Sequence, residues 1–353
     1  MTVYLNHAGT SWPKPAPVRE AVRAALEGDP AGWDGCFEAG HRAVAEWLNA
    51  PPARVRLTPG CTSALGAAVA ELPWEAGDRV VTSGFEHRAL TRPVEALRAR
   101  GVENVVVPPD GDAPLDLAAL ERALAEGRVR LVALSAASNV TGALLPWEAV
   151  IERAHAHGAR VLLDAAQVAG WIPLDVRATG VDLLAFAGHK GPQAPWGIGG
   201  LYVAPDLPSP GYCDTGSVDR AALAGLAAGL AWLEARPGRL AAARARIERL
   251  ARATEALPGV RLHGPRAPEA RVPTLALSHA TIAPATLAAR LSARGVVASG
   301  GRQCAAAAHR TLGTDAGGGV LRLSAGAVST DRDVDRAADA LRDALSEPPR
   351  ERR

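Results

Sequence analysis

The chain has 353 residues, 48% hydrophobic and 22% charged, a composition and length that suit two globular domains rather than a disordered segment. Its 39 Lys and Arg nearly balance its 37 Asp and Glu, which gives no reason to expect nucleic acid or an anionic membrane as a partner. The start, MTVYLNHAGTSWPKP, does not resemble a signal peptide, no apolar run is long enough to cross a bilayer, and the four cysteines are widely spaced. We therefore expect a cytoplasmic protein with free thiols and no metal site.

In chain order, short apolar runs alternate with amphipathic segments between about residues 60 and 205. The apolar runs predict strands at 78–83, 103–108, 130–135, 159–164, 182–187 and 199–204. The amphipathic segments predict helices at 88–100, 115–126 and 146–157. Because most of the runs are nearly continuous in Val, Leu and Ala, the strands should be covered on both faces. This pattern predicts an α/β fold with a doubly wound, mostly parallel sheet.

A different pattern follows the long helical stretch at 219–256. Short strands are predicted at 259–263, 272–278, 294–299 and 319–323, and helices at 283–293 and 331–346. Mixed short elements of this kind favour a smaller α+β domain at the C-terminal end. We expect three parts, namely an N-terminal arm that joins the small domain (1–14), a large domain (15–236) and the small domain (237–353).

Reactive side chains follow three of the predicted strands. Asp164 ends one strand with Gln167 just beyond it, His189 and Lys190 follow the next strand, and Asn139 follows the strand at 130–135. Ligands of open α/β sheets bind at these carboxyl ends. A lysine and a carboxylate suit pyridoxal 5'-phosphate (PLP), because the amine forms a Schiff base and the carboxylate keeps the pyridine nitrogen protonated. Alone, Lys190 could be a surface lysine and Asp164 a helix cap, but together they favour a cofactor site.

The segment DAAQVAGWIPLDVRATGVDLLAFAGHKG resembles the core signature of the class V aminotransferase superfamily, and in particular its cysteine desulfurase branch. Further similar segments include YLNHAGTSWPKP, TPGCTSAL, FEHRALTRPVEAL, ASNVTGALLP, CAAAAHRTLGT and LRLSAGAVSTDRDVDRAADAL, so the resemblance runs nearly the whole length. It implies the fold type I architecture of PLP enzymes, PLP as the cofactor, a small amino-acid substrate and a homodimer.

The resemblance also implies roles for individual residues. Lys190 would hold PLP as a Schiff base, and the other cofactor ligands would be Asp164, Gln167, Asn139, His87, Cys61, Thr62, His189 and the partner subunit's Ser217. His87 would stack on the ring and assist proton transfer. Arg322 would clamp the substrate carboxylate with Asn139 nearby, a role that suits a planar bidentate donor. The structural alternatives are a surface histidine for His87, a helix cap for Thr62 and an ion pair for Arg322.

Cys304 falls where desulfurases carry the cysteine that takes sulfur from the substrate as a persulfide. A lone cysteine is usually a small buried hydrophobe, but the Gly-rich segment before Cys304 favours the functional interpretation. Cys61 is the alternative candidate for the sulfur-accepting cysteine. Two departures stand beside this match, because Ser299 and Gln303 occupy positions where the family commonly has Arg and His. A second anchor for the substrate carboxylate is then missing, unless Arg302 substitutes.

Three hypotheses follow. The first is a PLP-dependent cysteine desulfurase or related carbon–sulfur lyase that acts on a cysteine-like amino acid, with Lys190 and His87 catalytic, Cys304 as persulfide carrier and a protein as possible sulfur acceptor. The second is a PLP-dependent aminotransferase, epimerase or β-eliminating lyase on the same scaffold, which the altered loop favours. The third is a non-catalytic sulfur carrier or partner-binding homologue that retains the fold, against which the set of Asp164, His87 and Lys190 argues.

Overall fold

The computed structural model describes residues 2–208 and 218–347. The strands in these residues are β1 (Val3–Tyr4), β2 (Val55–Thr58), β3 (Asp78–Ser83), β4 (Glu103–Val107), β5 (Arg128–Ser135), β6 (Arg160–Asp164), β7 (Leu183–Ala187), β8 (Gly199–Val203), β9 (Val260–His263), β10 (Thr274–His279), β11 (Val296–Val297), β12 (Ser299–Gly301) and β13 (Val320–Ser324). The α-helices are α1 (Ala16–Glu27), α2 (Trp33–Trp47), α3 (Cys61–Glu71), α4 (Arg88–Ala96), α5 (Leu117–Ala125), α6 (Trp147–Ala156), α7 (Val176–Thr179), α8 (Arg220–Glu234), α9 (Arg239–Glu255), α10 (Pro284–Ala293), α11 (Ala306–Thr311) and α12 (Asp331–Ser346).

The larger sheet has the order β2-β8-β7-β6-β5-β3-β4 among the described residues. Strands β3 to β7 pair in parallel, whereas β8 runs antiparallel to β7 and β2 antiparallel to β8. The expected α/β fold with a mostly parallel sheet is therefore confirmed. β2, a four-residue strand at the edge of the sheet, is not among the strands predicted from the sequence. So short a run carries little periodicity of its own.

Both faces of the larger sheet are covered, which explains why its strands are apolar throughout. Along β5, Leu131 and Ala133 pack with helices α3 and α4, while Val132 and Leu134 pack with α2, α5, α6 and α8. Successive side chains of a strand point to opposite faces, so a strand between two helix layers needs apolar residues at every position.

A second sheet with the order β12-β13-β10-β9 is antiparallel and forms its own core with α9, α10 and α12. The predicted strand at 294–299 is in fact two strands. β11 pairs in parallel with β1 at the N-terminus, and β12 pairs with β13. The predicted helical stretch at 219–256 is likewise divided, because Pro237 and Gly238 separate α8 from α9.

The pairing of β1 with β11 brings the N-terminal arm onto the C-terminal sheet. Helix α8 belongs to the core of the larger sheet and α9 to that of the smaller. On the basis of these contacts we propose domain boundaries between residues 14 and 15 and between residues 236 and 237. Across the residues that the structure describes, no helix has the length and apolar character needed to span a membrane.

Candidate active site

The predicted reactive residues meet at the carboxyl edge of the larger sheet. Ser135 ends β5 and Asp164 ends β6, and the two are paired in register. Lys190 follows β7 by three residues. Neighbouring parallel strands end at the same edge, so the strand order itself gathers these side chains.

A cavity of about 280 Å³ opens at this edge. The predicted site residues that line it are Cys61, Thr62, His87, Asn139, Asp164, Gln167, His189 and Lys190. Arg322 and Cys304 do not line it, although the charges of both act on Lys190. Ser217 lies outside the described residues, as does Cys213.

Asp164 is held in place by its neighbours at the floor of the cavity. Its side chain is 6% exposed and accepts hydrogen bonds from the backbone N–H of Ala166 at 2.9 Å and from Cys61 Sγ at 3.3 Å. Burial, reinforced by the Asp164 charge, raises the pKa of the Cys61 thiol. Cys61 is therefore a protonated hydrogen-bond donor to Asp164, which makes it a poor nucleophile.

Lys190 lies partly buried beside Asp164. Burial lowers the pKa of its amine, and the negative charge of Asp164 opposes that effect only in part. A lysine whose charged form is disfavoured loses its proton more readily, and the neutral amine is the form that attacks a carbonyl group.

His87 caps the N-terminus of α4. Its Nδ1 accepts a hydrogen bond from the backbone N–H of Ala89 at 3.0 Å, so the neutral ring carries its proton on Nε2. Burial is the main cause that lowers the pKa of His87 to about 4, and the nearby Lys190 charge adds to it. The ring is neutral at physiological pH, and its Nε2–H is left as a hydrogen-bond donor at the cavity wall.

The first turn of α3 faces the cavity through Gly60, Cys61, Thr62 and Ser63. Backbone N–H groups in a first helical turn have no partner within the helix, and together with the helix dipole they favour an anion. The hydroxyl groups of Thr62 and Ser63 add side-chain donors. This corner of the cavity suits a phosphate group.

Arg322 is buried in β13 and joins three segments of the chain. Its Nη1 donates to the carbonyl oxygen of Asn139 at 2.6 Å, and its Nη2 donates to Asn6 Oδ1 at 2.9 Å. Burial lowers the pKa of Arg322 to about 10, so the guanidinium keeps its charge. Asn139 in turn donates from Nδ2 to the carbonyl oxygen of Gln303 at 2.7 Å, which ties the loop that carries Cys304 to the cavity wall.

The Cys304 loop is held in an uncommon backbone conformation. Gln303 and Cys304 have φ angles of 43° and 58°, in the left-handed region that few residues other than glycine adopt. Cys304 is exposed, and its carbonyl oxygen accepts from the backbone N–H of Arg88 at 2.9 Å. Arg302 is ion-paired with Asp315 at 2.5 Å on the surface.

Three residues near this site were not predicted from the sequence. Glu86 lies in the core against Ser135, Trp196 lines the cavity, and Lys14 binds the carbonyl oxygen of His189. One sequence signal marks Lys14, because the chain contains only two lysines, at positions 14 and 190. Glu86 and Trp196 carry no comparable signal.

Comparison with known proteins identifies the family. The aminotransferase class-V model matches residues 34–211 and 208–337, so the chain belongs to that family. A probable cysteine desulfurase of Chlamydia trachomatis is 31% identical over 338 residues, covering 86% of this chain and 82% of the relative. A probable cysteine desulfurase of Methanothermobacter thermautotrophicus is 34% identical over 216 residues, and the match spans only 54% of that relative's length.

Solved structures agree with the fold. The cysteine desulfurase CsdA from Escherichia coli has a TM-score of 0.87 at 26% identity, with 98% of this chain and 94% of that chain covered. A cysteine desulfurase from Thermococcus onnurineus NA1 has a TM-score of 0.89 at 24% identity, with 97% and 94% covered, which shows the shared fold. The expected fold type I architecture is confirmed, and the protein is a PLP-dependent enzyme.

The cavity residues fit this cofactor. Asp164 supplies a carboxylate, Lys190 an amine and the first turn of α3 an anion site within one cavity. Asn139 Oδ1 is a buried acceptor without a hydrogen-bond partner among the described residues, so a group bound in the cavity would satisfy it.

Proposed function

We propose that the protein is a PLP-dependent cysteine desulfurase or related carbon–sulfur lyase that acts on a cysteine-like amino acid. The observation that carries the proposal is that Asn139 connects the cofactor cavity with the loop of Cys304. Its side chain lines the cofactor cavity and binds the loop that presents the exposed thiol of Cys304. The relatives named as cysteine desulfurases support the same reaction.

The cofactor would be held by the residues around the cavity. Asp164 would bind the pyridine nitrogen, Gln167 and Asn139 the phenolic oxygen, and Cys61 would position the Asp164 carboxylate. Thr62, His189 and the first turn of α3 would bind the phosphate, together with Ser217, which we assign to the partner subunit of a homodimer. When bound to Lys190, PLP supplies an electron sink that stabilises negative charge at the substrate α-carbon.

Substrate binding, proton transfer and sulfur transfer would be carried out by side chains of the protein. Arg322, charged and fixed by two hydrogen bonds, would bind the substrate carboxylate. The neutral amine of Lys190 would take the α-proton, and neutral His87 would pass protons at the cavity wall. As the thiolate of Cys304 forms a bond to the substrate sulfur, the carbon–sulfur bond breaks and its electron pair stays with the carbon fragment. The sulfur is left as a persulfide on Cys304.

A second candidate is a PLP-dependent aminotransferase, epimerase or β-eliminating lyase. It is favoured by the fixed position of the Cys304 loop and by the loss of a second cation for the substrate carboxylate. Ser299 and Gln303 carry no charge, and Arg302 is engaged by Asp315. Such an enzyme would use Lys190 and Asp164 in the same way and would not need the thiol.

We also propose a cytoplasmic homodimer that passes sulfur to a protein acceptor. Trp12 and Trp196 are 46% and 63% exposed, and Trp196 lies at the mouth of the cavity. Large exposed aromatic side chains near a functional opening favour coverage by a second subunit. Size-exclusion chromatography with light scattering tests the dimer.

Borohydride reduction followed by peptide mapping tests the role of Lys190. Reduction should leave the cofactor mass on Lys190, and Lys190→Ala should abolish that label. Since Lys14 is the only other lysine, a label there would refute the assignment.

An assay of alanine and sulfide release from cysteine tests the reaction itself. Cys304→Ala should lose both products in the presence of a reductant, while the control Cys36→Ala, which removes another exposed thiol, should retain them. Full activity of Cys304→Ala would refute the persulfide step. Formation of pyridoxamine phosphate from amino acids would favour the aminotransferase.

A further inference from the structure

Lys14 stands out because this chain otherwise uses arginine for its cations. The sequence has 37 arginines and two lysines, Lys14 and Lys190. A lysine on a surface that selects only for positive charge would be expected to be an arginine here. This contrast points to a use of the ammonium group at position 14 that arginine would not serve, since the two side chains differ in shape and in donor geometry.

The ammonium of Lys14 lies next to the backbone that carries Lys190. Its Nζ donates to Ser11 Oγ at 2.7 Å and to the carbonyl oxygen of His189 at 3.1 Å. The same nitrogen lies 5.6 Å from the centre of the Trp196 ring, in cation–π contact. Both His189 and Trp196 line the cofactor cavity.

The carbonyl group that Lys14 binds belongs to the peptide bond between His189 and Lys190. It also accepts from the backbone N–H of Ser11 at 2.9 Å, from Ser11 Oγ at 3.0 Å and from Thr10 Oγ1 at 3.1 Å. The N-terminal arm therefore converges on this one oxygen, and Lys14 brings the only charged donor among the described residues that bind it. Hydrogen bonds from a charged donor are about twice as strong as neutral ones.

We propose that Lys14 is a positioning residue of the active site, which fixes the peptide before Lys190 and holds Trp196 at the mouth of the cavity. The proposal rests on the proposed role of Lys190 as the cofactor lysine. We expect arginine to replace Lys14 poorly, because its planar guanidinium is larger than the ammonium that lies between a hydroxyl group, a carbonyl oxygen and an indole face. Burial lowers the pKa of Lys14 to about 8, so most molecules keep the charge at neutral pH.

Two substitutions of Lys14 and one control test this role in the holoenzyme. Lys14→Met removes the charge, and Lys14→Arg keeps the charge but changes its shape. Arg23→Met removes an exposed cation from α1 and serves as the matched control. Both Lys14 variants should release the cofactor roughly tenfold or more faster on dilution, as expected for loss of a charged hydrogen bond. Their visible absorption and circular dichroism, which report the geometry of the Lys190–cofactor link, should change, and those of Arg23→Met should not.

The kinetics should separate positioning from substrate binding. We expect kcat to fall about tenfold to a hundredfold in both Lys14 variants, because small misplacements of a reacting group are costly, while KM changes much less. In a double-mutant cycle, Ser11→Ala should add little to Lys14→Met, since the two side chains act together on one carbonyl oxygen.

The proposal is overturned if Lys14→Met keeps the wild-type spectrum, cofactor release and kcat, or if Lys14→Arg restores all three. Failure of the proposed role of Lys190 has a different signature. In that case the reduced cofactor would map elsewhere than Lys190 in the wild-type protein, whatever the Lys14 variants do.

Discussion

Glu86 should make the stability of this protein depend on pH. Its side chain is 1% exposed and accepts hydrogen bonds from the backbone N–H of Ser135 at 2.8 Å, from Ser135 Oγ at 2.7 Å and from the hydroxyl group of Ser83. Burial is the main cause that raises the pKa of Glu86 from its ordinary value of 4.5 to about 7, and the hydrogen bonds offset that effect only in part.

The direction of this pKa shift determines whether stability rises or falls with pH. The folded protein binds the Glu86 proton more tightly than the unfolded chain, so the contribution to stability is complete below about pH 4.5 and is lost as the pH rises to about 7. At about 1.4 kcal/mol per pKa unit, the difference between 4.5 and about 7 amounts to roughly 3 kcal/mol in the free energy of unfolding.

Glu86→Gln replaces the titratable carboxyl group with an uncharged amide of nearly the same shape. Between about pH 5 and pH 8, wild-type protein should lose about 2 to 3 kcal/mol more of its free energy of unfolding than the variant. Urea unfolding followed by circular dichroism measures the difference, with both proteins in the same cofactor state. Glu95→Gln, an exposed change on α4, is the control and should follow wild type. Parallel pH profiles for wild type and Glu86→Gln would refute the reasoning.

Three further predictions concern reactivity and packing. Thiol reagents should label Cys304 in the native protein and spare buried Cys61, as peptide mapping would reveal; fast labelling of Cys61 would contradict its burial. Acylation of Lys14 in the holoenzyme should reach half its maximal rate near pH 8, and a midpoint near the ordinary lysine value of 10.5 would be inconsistent with its burial. Gly191→Ala would place a methyl group 1.9 Å from the carbonyl oxygen of Ala169 and should lower stability by about 1 to 3 kcal/mol, measured by thermal unfolding; an unchanged Tm would argue against this contact.

The sequence predicted the fold correctly where the hydrophobic pattern was regular, and the family where the motif was long. The apolar runs between 78 and 204 predicted the strands of the larger sheet, because strands between two helix layers need apolar residues at every position. The same runs placed Asp164 and Lys190 at strand ends, and parallel pairing brought those ends together. The motif around Lys190 was sufficient to identify the family and the cofactor.

Short strands and contacts between distant residues were harder to predict from the sequence. β2 and the division of 294–299 into β11 and β12 were missed, since two- to four-residue strands acquire their identity from the partner strand rather than from periodicity. Arg302 was a possible second anchor for the substrate carboxylate, and only the fold reveals that Asp315 engages it.

The sequence by itself determined the architecture and the cofactor and predicted the reactive lysine, because each depends on local pattern or on residues close together in the chain. Only the tertiary structure decided how distant segments act on that lysine. Lys14 reaches the peptide before Lys190 across a sequence separation of 175 residues, and Asn139 reaches the Cys304 loop across 164. Contacts at such separations depend on the packing of two sheets and an N-terminal arm, and no local pattern encodes them.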